Sequence, residues 1–196
     1  MVEFNKSKTK EILARLYAGE CQDGARYQFL AQQANTDKYN YVMGIMKNLA
    51  TNEMAHAKIL YDLILEHGGQ SVKNIEINAG FPFPSYQLNP GLKLTAEAEH
   101  AQFENIYPTF AKIAKDEGYD DVAKALLMIA DVENAHSAIL TELFNKIKSK
   151  KIYKMAQAVR WKCSKCGYEK SGKESWKTCP LCKYDQGYTI VKMQEN

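Results

Sequence analysis

The chain has no apolar run near the roughly 18 residues that a membrane-spanning helix needs, so a helical membrane protein is excluded. Met1 to Lys10 is polar, with lysines at 6, 8 and 10 and no apolar h-region. A secretory leader is therefore not expected, and the cytoplasm is the expected compartment. No Gly-x-Gly-x-x-Gly occurs, so the chain does not carry the dinucleotide fingerprint. Arginine is scarce and no aromatic stacking platform stands out, which argues against a nucleic-acid-binding protein. Histidine is rarer than most residue types, at four in 196, so where each one falls is informative.

What is present is unevenly spread. Residues 1–145 hold 13 Lys/Arg against 19 Asp/Glu, a net of −6, whereas residues 146–196 hold 13 against 4, a net of +9. A basic segment of this kind is either a solvated surface or a face that docks on the acidic part, in the same chain or a neighbour.

Four helical patterns come first. Ile12, Leu16, Glu20, Tyr27 and Leu30 share one face. So do Val42, Ile45, Leu49, Glu53, His56, Leu60 and Ile64. The third pattern reads Leu92, Ala96, Glu99, Phe103, Ile106, Phe110 and Ile113; the fourth reads Leu126, Ile129, Glu133, His136, Leu140, Leu143 and Ile147. Steps of three and four are the helical period. Gly118 ends the third helix, and Asp120 or Asp121 is the expected cap of the fourth. Between the second and third patterns, Gly68, Gly69, Pro82, Pro84, Pro90 and Gly91 break the period. A link of that length suits the crossover of a ferritin-like bundle, with short antiparallel hairpins on either side. Lys146 to Lys154 ends the last helix or begins a linker. The expected organisation is a mainly α four-helix bundle over residues 1–152 and a small β module over residues 158–196. So short a module needs a metal or disulfides to fold.

Polar residues interrupt the apolar stripes in a repeated way. Glu20 precedes Glu53-x-x-His56 by 33 residues, and Glu99 precedes Glu133-x-x-His136 by 34. Each unpaired carboxylate in a core costs several kcal/mol, and four would exceed a typical fold stability of roughly 5–15 kcal/mol. Apart from Arg15 and Arg26, no cation sits on those stripes to compensate. Residues i and i+3 lie about 5–6 Å apart on a helix, so each Glu-x-x-His can serve one ion or two adjacent ones. One Glu from each of two helices and Glu-x-x-His from each of the other two is the di-iron or di-manganese arrangement. A single Glu-x-x-His is commonly a surface pair, and Glu97-x-x-His100 reads that way because the register favours Glu99. His67, at a helix end, reads as a partner of the helix dipole.

Cys163-x-x-Cys166 and Cys179-x-x-Cys182 are separated by 12 residues. Two such turns present four sulfurs to one tetrahedral ion, iron as an electron carrier or zinc as a structural site. Trp161, Tyr168 and Tyr184 are the expected core of the module. Cys21 stands alone and reads as a buried small residue.

These residues resemble the rubrerythrin family, a ferritin-like di-iron bundle followed by a rubredoxin-like module. The resemblance spans nearly the whole chain. It rests on the two Glu-x-x-His motifs, on Ile106-Tyr107-Pro108, and on Trp161-Lys162-Cys163-x-x-Cys166-Gly167-Tyr168 with Cys179-Pro180-x-Cys182. It implies Glu20, Glu53, Glu99 and Glu133 as carboxylate ligands and His56 and His136 as imidazole ligands of two irons. Manganese or a mixed pair is the alternative. It places Tyr27 and Tyr107 beside that centre and one iron, or zinc, at the cysteines. It also implies hydrogen peroxide reduction, electrons from an NAD(P)H-dependent flavoprotein or a rubredoxin-type donor, and a head-to-tail homodimer. Two positions depart from the family. Gln102 stands where a further glutamate is usual, so a carboxylate–histidine exchange at one iron loses its carboxylate. Lys183 stands where a small residue is common. The rival readings are an O₂-using ferroxidase and a metal-stabilised binding module with a zinc-ribbon-like end.

Overall fold

The structure, a computed structural model, describes residues 2–69, 72–83 and 87–192; Pro84, read as a breaker, lies outside them. Helices α1 (Lys8–Thr36) and α2 (Asn40–Gly68) form one hairpin. The second hairpin pairs α3 (Leu88–Ala101) and α4 (Tyr107–Asp116) with α5 (Asp120–Lys148). The module follows as β1 (Lys154–Cys163), β2 (Glu169–Glu174) and β3 (Thr189–Val191), an antiparallel sheet in the order β2-β1-β3. Among the described residues, no helix is long and apolar enough to cross a membrane.

The two hairpins repeat one design down to their turns. Lys38 (φ 60°) and Gly118 (φ 93°) are both left-handed, and each is followed by a tyrosine whose N–H reaches back into the helix just ended. Tyr39 N donates to Ala34 O at 2.7 Å, and Tyr119 N to Ala114 O at 2.9 Å. These are the short links the sequence predicts. The cap differs from expectation. Tyr119 occupies the N-cap of α5 without a side-chain bond, and Asp120 and Asp121 sit in the first turn. Asp121 is bound instead to His67 at the end of α2, at 2.8 Å. The hairpins are also pinned together at the start of α1. Glu117 accepts from Lys8 N (2.9 Å), Thr9 N (2.8 Å) and the Thr9 hydroxyl (2.6 Å), an anion on a helix N-terminus.

The third helical pattern is not one helix. Between α3 and α4 the residues Gln102–Ile106 form a π-helical turn. A π-turn holds one residue more than the α period allows, so the buried face slips by one position beyond Glu99. The buried residues after the turn are Tyr107, Ala111 and Ala114, whereas Phe103, Phe110 and Ile113 are half-buried and Ile106 is exposed.

The apolar core is in two parts. One contains Leu13, Leu60, Tyr107, Val122 and Leu126, and the other Tyr27, Leu30, Met46, Leu92 and Leu140. A layer of buried carboxylates and imidazoles lies between them.

The module rests on the α1–α2 turn. Asn40 Nδ2 donates to Ser164 Oγ at 3.0 Å, and the Tyr39 and Tyr153 rings stack at 6.3 Å. Gly187 packs so closely that a Cβ there would lie 2.2 Å from Lys38 O. The ion pair at this seam is Lys38 of the bundle with Asp185 of the module, 3.3 Å, opposite in polarity to the overall charge split. The seam is therefore not the place where the −6 and +9 halves attract.

Candidate metal centres

The helical period delivers the bundle site. Glu53 and His56 are one turn apart on α2, Glu133 and His136 one turn apart on α5, and Glu20 and Glu99 come from α1 and α3. All six are buried. His56 Nδ1 lies 2.9 Å from Glu133 Oε1, 3.2 Å from Glu53 Oε2 and 3.3 Å from Glu20 Oε2. His136 Nδ1 lies 2.9 Å from both Glu53 Oε1 and Glu133 Oε2. Glu53 and Glu133 thus each face both imidazoles, while Glu20 belongs to the His56 side and Glu99 to the His136 side. The two rings are nearly parallel, 5.9 Å apart.

Closeness here is not hydrogen bonding. Glu53 Oε1, Glu99 Oε2, both Glu133 oxygens and His136 Nδ1 are buried with no hydrogen-bond partner among the described residues. Lone pairs that converge without a donor between them are what a pair of cations would satisfy, and leaving each atom unpaired costs about 1–3 kcal/mol. Four carboxylates and two imidazoles match the donor preference of iron or manganese. The residues fit a dinuclear site.

Protons hold the charges together when metal is absent. Burial pushes Glu20 up to about 8, and it also raises Glu99, with Glu133 adding repulsion. Burial opposes a charge on His56, but Glu133, Glu20 and Glu53 outweigh it and raise the ring to about 12. Glu133 and Glu53 raise His136 to about 9 against the same penalty. Burial also opposes ionisation of Glu53, yet His136 and His56 hold it down at about 2.

Each outer carboxylate is held by a tyrosine from the other hairpin. Tyr27, on α1, donates to Glu99 Oε1 at 2.5 Å, and Tyr107, opening α4, donates to Glu20 Oε1. Tyr27 comes seven residues after Glu20, but Tyr107 comes eight after Glu99. The π-turn absorbs the extra residue and keeps the pair symmetric. Burial first, and then Glu99 or Glu20, raises both phenols well above their usual range, so both stay protonated donors.

Glu97 and His100 are exposed and pair with Lys93 and Glu104. Gln102 points its amide at Asp23, Nε2 to Oδ2 at 3.0 Å. Sequence reasoning did not single out Asp23, a buried carboxylate one turn beyond Glu20 and paired with Arg26 at 3.0 Å. Its signal was available as an acidic residue at i+3 from a ligand. Cys21 is half-buried.

The cysteine site is built from two superimposable turns. Cys163 N donates to Tyr168 O (2.8 Å) and Gly167 N to Cys163 O (2.9 Å). Cys179 N donates to Tyr184 O (2.8 Å) and Lys183 N to Cys179 O (3.0 Å) in the same way. Gly167 (φ 77°) and Lys183 (φ 62°) occupy the same left-handed position. Cys163–Cys182 and Cys166–Cys179 have sulfurs 3.7 Å apart. Four sulfurs about 2.3 Å from a tetrahedral ion would be roughly 3.8 Å from one another. The residues fit one such ion. The donors are already polarised: burial opposes ionisation of Cys179, but the N–H groups of Cys182 and Leu181 lower it to about 7. For Cys182 the Tyr184 N–H acts downward, while burial and the neighbouring thiols raise it to about 12. Trp161 is the buried centre of the module, whereas Tyr168 is half-buried and Tyr184 exposed.

A sequence model of the Rubrerythrin family matches residues 11–144 and 91–162. The chain is 37% identical to a rubrerythrin of Clostridium perfringens, with 97% of each chain covered. It is 35% identical to Rubrerythrin-1 of Clostridium acetobutylicum over the full length of both. Among solved structures it is similar to partially reduced nigerythrin, with a TM-score of 0.62, 21% identity, and 98% and 94% of the two chains covered. Two half-sites of Glu and Glu-x-x-His in a helical bundle, followed by a four-cysteine module and matched along the whole chain, place the protein in the rubrerythrin family of di-iron oxidoreductases.

Proposed function

We propose that the protein reduces hydrogen peroxide to water at the bundle site, with electrons arriving through iron at Cys163, Cys166, Cys179 and Cys182. One peroxide takes up two electrons and two protons and leaves as two waters. The observation that carries this reading is the pairing of a convergent dinuclear donor set with a one-metal thiolate site in one chain. A ferroxidase has no use for the second.

Glu53 and Glu133 would lie between the two irons, with Glu20 and His56 on one side and Glu99 and His136 on the other. Iron bound there supplies both electrons and polarises the O–O bond. Tyr27 and Tyr107 keep their protons and hold Glu99 and Glu20 in place, so they act as positioning residues. The two apolar cores keep bulk water from the site.

Within one chain the cysteine module sits beside Asn40, and Glu53 lies thirteen residues further along α2, roughly 20 Å at about 1.5 Å per residue. That separation supports a head-to-tail homodimer in which the partner's module approaches the bundle site. The donor to the cysteine iron would be a cytoplasmic NAD(P)H-dependent flavoprotein or a rubredoxin-type protein.

The test is anaerobic. Reduced, iron-loaded protein is mixed with one equivalent of peroxide, and the optical bands of both centres are followed. Rapid reoxidation of both, much faster than with O₂, is the expected result. Reoxidation by O₂ alone would move the protein to iron handling, and zinc at the cysteines would remove the electron-carrier role.

A further inference from the structure

The ligands do not use all the buried charge in the bundle. Asp23 pairs with Arg26 at 3.0 Å and accepts from Gln102 Nε2 at 3.0 Å. Arg26 also donates to Gln22 Oε1 at 2.8 Å. Asp23, Gln102 and the ligand Glu20 share the wall of one cavity of about 270 Å³, which runs beneath Gly80, Phe81 and Pro82 of the crossover. Arg15, exposed at its edge, lies over the Phe110 ring at 5.6 Å. A guest in this cavity is therefore in reach of a metal bound at Glu20.

The polar character of the wall is one-sided. The guanidinium of Arg26 is committed to Asp23 and Gln22, and the amide N–H of Gln102 is committed to Asp23. What remains to offer a guest is the Asp23 carboxylate and the Gln102 carbonyl oxygen, both acceptors. Acceptors welcome O–H donors and repel anions, and in a partly dehydrated cavity that repulsion acts across several ångströms.

We propose that Asp23, held by Arg26 and Gln102, determines specificity on the route into the dinuclear site, admitting a neutral O–H donor and excluding small anions. That the donor is hydrogen peroxide rests on the proposed function above. The exclusion of anions does not.

Azide is the probe for the second point. Oxidised, iron-loaded full-length protein is titrated with sodium azide at pH 7.5, and binding is read from the charge-transfer absorption of the iron–azide complex. Asp23→Asn keeps the shape and removes the charge, so azide affinity is expected to rise about tenfold. Asp23→Glu retains the charge and should bind azide as weakly as the native protein. In turnover, Asp23→Asn should raise the KM for peroxide more than it lowers kcat. Azide affinity within twofold of native in Asp23→Asn would overturn the proposal, as would an equal rise in Asp23→Glu, which would make the effect one of packing. The route has its own test. A Cβ at Gly19 would lie 3.7 Å from Phe81 Cε1, so alanine fits, whereas the leucine side chain of Gly19→Leu must fill the cavity. Azide should then bind more slowly in Gly19→Leu than in Gly19→Ala, and equal rates would rule the route out. If peroxide fails to reoxidise the native reduced protein, the peroxidase reading falls, and the azide comparison still decides the role of Asp23.

Discussion

Tyr27 and Tyr107 each cross from one hairpin to hold a carboxylate of the other, so a single hydroxyl couples each metal ligand to the opposite core. Removing an outer-shell donor of this kind lowers metal affinity or activity by about 10–100-fold. Tyr27→Phe and Tyr107→Phe are each expected to lose metal to a competing chelator at concentrations lower by that factor, with the helical circular dichroism unchanged. Equal retention by the variants would mean that the hydroxyls only pack. A second residue-scale effect is set by backbone alone. Lys183 holds a left-handed conformation that its counterpart Gly167 holds freely, and an L side chain there costs about 1–2 kcal/mol. Its ammonium donates to Pro180 O from the surface, which returns little of that cost. Lys183→Gly should therefore raise the temperature at which the cysteine-bound metal is released. Gly167→Ala should lower it.

At the scale of elements, the π-turn decides the register of half the site. With α geometry throughout, eight residues advance the helix about 80° beyond two full turns, and Tyr107 would turn away from Glu20. Deleting the exposed Asn105 removes the extra residue and restores the seven-residue spacing of Glu20 and Tyr27. The shortened protein is expected to fold, to keep two metals in the bundle, and to lose the Gln102–Asp23 contact, as a crystal structure would show. Loss of folding would mean that the π-turn is needed for more than register. The same turn marks where the sequence was legible and where it was not. Glu-x-x-His spacing located α2 and α5 because both are regular, and the cysteine turns were readable because each closes on itself within a few residues. Phe103, Ile106, Phe110 and Ile113 looked like a continuation of the core stripe because apolar residues at three and four are common on either face of an amphipathic helix. The slip to Tyr107, Ala111 and Ala114 leaves no mark in composition. Asp23 escaped for a related reason: an acidic residue among polar neighbours looks solvated until a second helix covers it.

On the scale of the whole molecule, two joints hold unlike parts together. The module meets the bundle at Gly187 against Lys38 O, where no side chain fits. Gly187→Ala should loosen the seam and speed proteolysis between residues 148 and 154 without changing metal content. The other joint is the charged layer between the two cores, and its stability depends on what neutralises it. In the metal-free bundle that role falls to protons. Glu20 is raised from 4.5 to about 8, Asp23 from 3.8 to about 6, His136 from 6.5 to about 9 and His56 from 6.5 to about 12. In each case the folded state binds protons that the unfolded state has released, so stability falls as pH rises. Glu20 and Asp23 cost stability progressively above about pH 4–5. The histidines contribute fully below 6.5 and lose that contribution as pH climbs through their folded values. Glu53, lowered from 4.5 to about 2, acts oppositely and matters only below about 4.5. Metal reverses the dependence, because ions displace these protons and bind more tightly as the ligands ionise. Melting the bundle between pH 5 and 9, stripped and reloaded, should give a transition temperature that declines with pH in the first case and holds or rises in the second. The gap between the two should be widest at the alkaline end. A stripped bundle whose melting temperature is flat or rises over this range would show that the layer is not held by protons, and that the buried carboxylates find compensation elsewhere.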